Sequence, residues 1–477
     1  FKTRIVAFNR RNLGFFLGLL QGVKRGAEVV PEGFVREAML KHRSTLTIPQ
    51  DDPDSPLHES WPDQLSFSEF SPYYTRFFKK FKPTSPKLYE ASTAAGFSSK
   101  RGEGGARQFL RRVHNFSGLI DTESNDLIEL YESRPGRVEQ IRGQPTWNSF
   151  NSLMSDIELM SSEPSLFPQL VHQSVAVSAV CEPLKVRLIT KGNEFSYYAS
   201  RFYQKALWQY LQKYPQFVAT GRPLQTSDFS DLLLREDSLF SHTPTSKSVG
   251  VPLSLTAVRP FDFWVSGDYS AATDSLKISH TKAAFESSLL RSNLSGPVQD
   301  LLRSVLYEQK LHYPKKFEKS GGLDPIMQTT GQLMGSTLSF PILCVVNLVA
   351  YWKAMEEYFG RQISLCDLPV LINGDDILFR SNDDFYRIWL EKVADVGFHL
   401  SLGKNYTHKS FFTINSQGFL FNRGTRGFTE IGFLNVGLLT GQSKIGKRKH
   451  ELLPISSLYN EVLRGAHDPL RAHRRFL

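Results

Sequence analysis

An apolar run broken by two adjacent carboxylates, and then resumed, constrains this chain most: LPVLINGDDILFRS, residues 368–381. The apolar flanks read as two strands, and Gly374 gives the backbone the freedom that a tight turn between them needs. Asp375 and Asp376 then stand at the tip of a β-hairpin whose strands are built to be buried. Like charges so placed raise each other's pKa unless water screens them or a cation sits between them. The hairpin therefore reads either as a solvated turn or as one wall of a cation site.

A second carboxylate of the same kind favours the cation site. WVSGDYSAATD, 264–274, is again an apolar run ending in Gly-Asp, with Asp274 six residues after Asp268. If the strand ending at Asp268 lies beside the hairpin of Asp375, carboxylates converge. Mg²⁺ takes few protein carboxylates and keeps positions open for substrate phosphates. Two such ions roughly 4 Å apart stabilise the attacking and leaving oxygens of a phosphoryl displacement.

Two further stretches fit phosphate chemistry, each with a plainer alternative. In EPLKVRLITKGN, 182–193, Lys185, Arg187 and Lys191 fall at even offsets and share one face of a strand. That row suits a triphosphate, and it equally suits an edge strand protected by charge. TTGQLMGSTLSFPILCVVN, 329–347, is a loop with Gly331 and Gly335 feeding a long apolar helix. Its amides and hydroxyls (Ser336, Thr337, Ser339) can lie along a nucleic-acid backbone, or the loop is an ordinary helix lead-in.

A length of 477 residues implies about three domains or subdomains. The net charge of +10 and pI near 9.3 suit an anionic partner, and solubility alone also accounts for them. Three cysteines (Cys181, Cys344, Cys366), with no CxxC, give neither a disulfide framework nor a zinc signature, and read as buried thiols in a reducing compartment. No apolar run approaches bilayer length. LGFFLGLL, 13–20, reads as a packed amphipathic helix, and the Phe at position 1 suggests that the true N-terminus is missing. YYTRFFKKFK, 73–82, is either a base-stacking surface or a helix with one aromatic face buried.

Surface connections are expected at 42–63 and 241–256. After the second come a strand into Asp268, a helix over 275–292, a loop over 312–330, a helix over 337–357 and the opening hairpin. A helix over 383–397 stopping at Gly397, a hairpin over 411–422 and a basic segment over 442–477 follow. Strands mixed with helices and hairpins predict an α+β domain on an antiparallel sheet.

Taken in order, EPLKVRLITKGN, SGDYSAATD, GQLMGSTLSFP, NGDD and LSLGKNYTHKSFFTINSQGF resemble the motif series of viral RNA-directed RNA polymerases, most nearly the ourmia-like (botourmiavirus) group related to narnaviruses, mitoviruses and the RNA phages. The matching stretch runs from about 180 to 425, and STAAGFSSKRGEGG, 92–105, resembles a template-contacting stretch of that group. The resemblance implies a right-hand fold: an N-terminal region and fingers over 1–256, a palm with antiparallel sheet over 257–425 (fingers insertion about 276–328), and a small basic thumb over 426–477. It implies RNA-templated RNA synthesis from nucleoside triphosphates with two Mg²⁺, or Mn²⁺ as substitute. Asp268, Asp375 and Asp376 would serve as catalytic metal ligands, with Asp375 bridging both ions and Asp376 peripheral, and Lys404 as general acid. Lys185, Arg187, Lys191, Asp274, Ser339 and Asn347 would face the nucleotide, with Asp274 sensing the ribose. Gly331, Gln332, Gly335, Ser336 and Thr337 would meet template RNA.

The chain departs from the pattern in the helix after the Gly-rich loop. Leu343 stands where a ribose-selecting Asn is expected, and Asn347 lies one turn further on. The implied partners are RNA template and product, with any viral or host replication partner unspecified. The implied location is host cytoplasm, with mitochondria as the alternative. Two rivals remain: a reverse transcriptase, and a basic RNA-binding protein whose aspartates merely cap turns.

Overall fold

The computed structural model describes residues 10–23, 30–47, 61–83, 88–120, 149–164, 172–182, 185–241, 258–318, 323–401, 403–432, 455–466 and 468–476. Most of both expected connections (48–60 and 242–257), and much of the basic segment after 442, lie outside the described residues. The strands are β1 Ser174–Glu182, β2 Lys185–Lys191, β3 Phe263–Gly267, β4 Lys310–His312, β5 Ile326–Met327, β6 Val370–Asn373, β7 Asp376–Ser381, β8 Tyr406–His408, β9 Phe411–Ile414, β10 Gln417–Asn422 and β11 Gly427–Ile431. The helices that bear on the site are α1 Trp61–Phe78, α2 Thr226–Ser241, α3 Ile278–Leu289, α4 Ser339–Phe359 and α5 Asp383–Asp395.

The expected α+β architecture is present. A central antiparallel sheet runs β6-β7-β3-β8. Strands β3, β6 and β7 are largely apolar on both faces because both faces are covered. Val265, Ile372, Ile377 and Phe379 point into a core with α4 and α5. The intervening Trp264, Leu371 and Leu378 point the other way, against Phe229 of α2 and Phe412, Phe419 and Phe421 of the β9–β10 hairpin. A two-sided sheet removes the polar half of the usual alternation, so the strands read as continuous apolar runs.

The first turns of α4, residues 341–350, are buried on every side, which is why that stretch is almost entirely apolar. Among the described residues no helix is long and apolar enough to cross a membrane. Against α4 packs α1, whose Phe70, Tyr74, Phe77 and Phe78 are fully buried. Arg76 of α1 pairs with Glu356 at 2.9 Å and lies 4.4 Å over the Trp352 ring. The aromatics of YYTRFFKKFK therefore belong to the core, and Lys79 and Lys80 to the exposed side.

A second sheet runs β2-β1-β4-β5, with β1 antiparallel to β2 and parallel to β4. The expected loop over 312–330 thus contains strand β5 and a short helix at Lys315–Glu318. The expected helix over 275–292 is shorter, because a separate turn of helix at Ala272–Ser275 precedes α3. The helix Arg10–Val23 packs beside β11, bringing Leu17 next to Gly418.

Candidate active site

Antiparallel pairing brings the two aspartate motifs together. β3 and β7 are in register with Gly267 opposite Ile377, so Asp268, one residue beyond, and Asp376, one residue before, leave the sheet at the same edge. The β6–β7 hairpin closes with Asn373 opposite Asp376, leaving Gly374 and Asp375 as its two-residue turn. Gly374 takes φ of +69°, a conformation that favours glycine. Asp375 is exposed, and Asp268 and Asp376 are partly buried.

The carboxylates act on one another. Asp376 is pushed up to about 7, first by burial and then by the negative charges of Asp375 and Asp268. The Asn415 backbone N–H and the Lys404 ammonium oppose the rise. Lys404 stands with Nζ 3.1 Å from Asp268 Oδ2. Its arrival is fixed by the backbone before it. Ser401 N–H donates to the Asp268 carbonyl at 2.9 Å, and Ser270 N–H donates to the His399 carbonyl at 2.8 Å. The Tyr269 ring stacks on Phe398 at 4.4 Å.

Asp274 sits in the turn that follows, half-buried beside the Gly-rich loop. Burial pushes its carboxyl up to about 6, and the Thr273 hydroxyl, donating at 3.0 Å, works against that. Gly331 N–H donates to the Leu276 carbonyl at 3.0 Å and Gln332 N–H to the Thr273 carbonyl at 2.7 Å. The other side of the loop touches the basic strand. Thr190 N–H donates to the Met334 carbonyl at 3.0 Å, and a methyl at Gly335 would overlap the Thr190 carbonyl. This loop therefore joins the Asp274 turn to β2. On β2, Val177's partner Thr190 faces the core, which puts Arg187 and Lys191 on the opposite face. Arg187 is exposed and Lys191 half-buried. Lys185 begins the strand, and its side chain lies outside the described set.

Several expected contact residues make their hydrogen bonds inside the protein. Gln332, expected on template, is fully buried, donating to Thr281 Oγ1 at 3.0 Å and accepting from Ser339 Oγ at 2.8 Å. Ser339, expected on the nucleotide, is buried with it. The Ser336 hydroxyl donates to the Val305 carbonyl at 2.7 Å, and the Thr337 hydroxyl shares a hydrogen bond of 2.6 Å with Ser200. Asn347, expected on the nucleotide, is also fully buried, with Nδ2 donating to the Gly374 carbonyl at 2.9 Å and Oδ1 accepting from the Tyr269 hydroxyl at 2.9 Å. A buried amide or hydroxyl must spend its bonds inside the protein, so these groups shape the loop and turns from within.

Four supporting residues carry no sequence signal of their own. Cys344 Sγ accepts the Gly374 N–H at 3.2 Å, and a lone buried cysteine reads simply as a small apolar residue. Tyr269 is one aromatic among many. Asn373 Nδ2 donates to Asn415 Oδ1 at 2.7 Å, which ties the aspartate hairpin to the turn of the β9–β10 hairpin. Asn415 and Ser416 both have positive φ, a two-residue turn that an Asn-Ser pair permits.

The donors suit a hard divalent cation, being carboxylate oxygens that repel one another, with the Lys404 ammonium beside them. Among the described residues, no three His, Cys, Asp or Glu side chains form a ready-made metal cage. Mg²⁺ does not need one, since it is usually held by one or two carboxylates plus substrate phosphates.

No family model matches the chain. It is 30% identical over 359 residues to the RNA-dependent RNA polymerase of Ourmia melon virus (isolate Melon/Iran/VE9), an alignment covering 73% of this chain and 38% of that protein. Among solved structures it is similar to the RNA-dependent RNA polymerase of a human picobirnavirus, with TM-score 0.43, 13% identity and coverage of 64% of this chain and 54% of that one. An insertion-loop deletion mutant of the same polymerase gives TM-score 0.42 at 13% identity, covering 64% and 56%. This chain spans 38% of the length of the viral protein that it matches in sequence, and by that likeness it belongs to the viral RNA-dependent RNA polymerase family.

Proposed function

We propose that the chain is the polymerising portion of a viral RNA-dependent RNA polymerase, with the central sheet as its palm. The observation that carries this reading is the β3–β7 register, which sets Asp268 beside the Asp375–Asp376 hairpin at one sheet edge. The sequence likeness to a viral polymerase supports it. Asp268 and Asp375 would hold divalent cation, and Asp376, partly buried beside them, would be peripheral and tune their charge. Bound there, Mg²⁺ or Mn²⁺ would supply activation of an RNA 3′-hydroxyl and neutralisation of the leaving pyrophosphate.

The chain's own residues would do the rest. Arg187 and Lys191, on one face of β2, would steer the triphosphate. Gly335 lets the loop backbone lie close on that strand, leaving loop amides to meet template or nucleotide. Asp274, in the turn held to the same loop, would face the ribose. Lys404 neutralises part of the carboxylate charge at rest and carries a proton that pyrophosphate can take. Primer extension on a short RNA template, run beside Asp375→Asn, tests the reading. Mg²⁺- or Mn²⁺-dependent extension by the parent alone supports it; equal activity in both, or none in either, contradicts it.

A further inference from the structure

Among the described residues, Asn347 is a polar side chain that bonds to both aspartate segments beneath the surface. The β3–β7 ladder stops at Gly267 and Ile377, and the β6–β7 ladder stops at Asn373 and Asp376. Beyond those points Asp375 stands on the hairpin turn, and Asp268 on the short link between β3 and the bridge of Tyr269 to Leu400. There Asn347 Nδ2 donates to the Gly374 carbonyl, the atom group bonded to Asp375, at 2.9 Å. Its Oδ1 accepts from the hydroxyl of Tyr269, the residue after Asp268, at 2.9 Å. Cys344, three residues earlier on α4, takes the Gly374 N–H at 3.2 Å. The helix therefore holds Gly374 by both its backbone polar groups and reaches the neighbouring segment through one amide. Asn347 and Tyr269 are buried (0% and 3% exposed), so neither bond competes with water and each has a fixed geometry.

We propose that Asn347 is a positioning residue: through Gly374 and Tyr269 it fixes the separation of Asp375 from Asp268, and so sets the affinity of the pair for a divalent cation. The inference rests on reading the aspartate cluster as a cation site. It gives the buried amide in the otherwise apolar run 341–350 a reason to be there, since an unpaired amide at that depth is costly. It also gives Asn347 a role that needs no contact with nucleotide.

The test is a Mn²⁺ titration of the full chain, followed by the electron paramagnetic resonance signal of the free ion, on the parent, Asn347→Leu, Tyr269→Phe and Asp375→Asn. Melting midpoints without metal, kcat and the KM for a nucleoside triphosphate complete it. The parent should bind Mn²⁺ and Asp375→Asn should lose that binding. Asn347→Leu should weaken it by about tenfold, the low end for loss of a group that orients metal ligands, and Tyr269→Phe by less. The kcat should fall and recover as Mn²⁺ is raised, with nucleotide KM little changed. Tyr269→Phe, which keeps the ring stacked on Phe398, decides the matter if Asn347→Leu does not fold. Unchanged Mn²⁺ affinity in both variants, or a change in nucleotide KM alone, overturns the proposal. Asp375-dependent Mn²⁺ binding by a parent that makes no RNA would sink the polymerase reading, leaving the positioning role to the binding measurements.

Discussion

Strand β7 carries ionised groups near both its ends, and the protein treats the two ends in opposite ways. Near one end Arg380 is partly buried, with Nη1 2.7 Å from the buried Glu236 and the guanidinium over the Trp264 and Phe421 rings. At the other, Asp376 meets Asp375 and Asp268. Both acids are pushed up to about 7, and burial is the first cause at each. The second cause differs. At Glu236 the Arg380 charge opposes burial, whereas at Asp376 two more carboxylates add to it. A dry, matched pair holds elements together; a wet edge with an excess of negative charge leaves room for a cation from outside.

That contrast can be broken at either end. Asp375→Asn, which removes a proposed cation ligand, should lower RNA synthesis on the order of 10³-fold, a loss of several kcal/mol of charge stabilisation. It also relieves repulsion, so the melting midpoint measured without metal should hold or rise. Arg380→Met should do the reverse, costing roughly 3–5 kcal/mol of stability by leaving Glu236 buried without its partner. Denaturant unfolding checks this, and a midpoint equal to the parent's would show that the pair is not structural.

A third buried group isolates burial from pairing. The His42 ring is buried, shares a hydrogen bond of 3.0 Å with the Tyr313 hydroxyl, and has its pKa lowered to about 4 by burial. The unfolded chain gains this proton near 6.5 and the native protein resists it down to about 4. Stability should therefore fall between those values, by up to about 3 kcal/mol relative to His42→Gln. Parallel unfolding curves for the two proteins from pH 7 to 4.5 would contradict it. The smallest effect is expected at Asp274, away from the mutual repulsion at the hairpin. Asp274→Ala should narrow the preference for ribo- over deoxynucleotides by about tenfold, some 1.4 kcal/mol, and slow synthesis less than that. An unchanged preference removes Asp274 from ribose reading.

How much of this is legible in the sequence follows from where each bond is made. The aspartate hairpin, the β9–β10 hairpin and α4 are local in sequence, and their apolar patterns and turn residues announce them. The meeting of Asp268 with Asp375 needed only the inference that two like strands lie side by side. The parallel β1–β4 pairing, the short strand β5 and the burial of Gln332, Ser336 and Ser339 were not legible, because partners far along the chain decide them. Asn347 shows the limit most clearly. From sequence it is a polar residue near the Gly-rich loop, whereas its hydrogen bonds in the fold go to Tyr269 and Gly374, residues 78 and 27 positions away.

The most direct test of the central claim is whether the added nucleotide follows the template. Four RNA templates that differ only in the first unpaired base should each direct addition of the complementary ribonucleotide by the parent protein in Mg²⁺, with no addition by Asp268→Asn. Addition that ignores the template base, or that survives in Asp268→Asn, would contradict a templated reaction at this sheet edge.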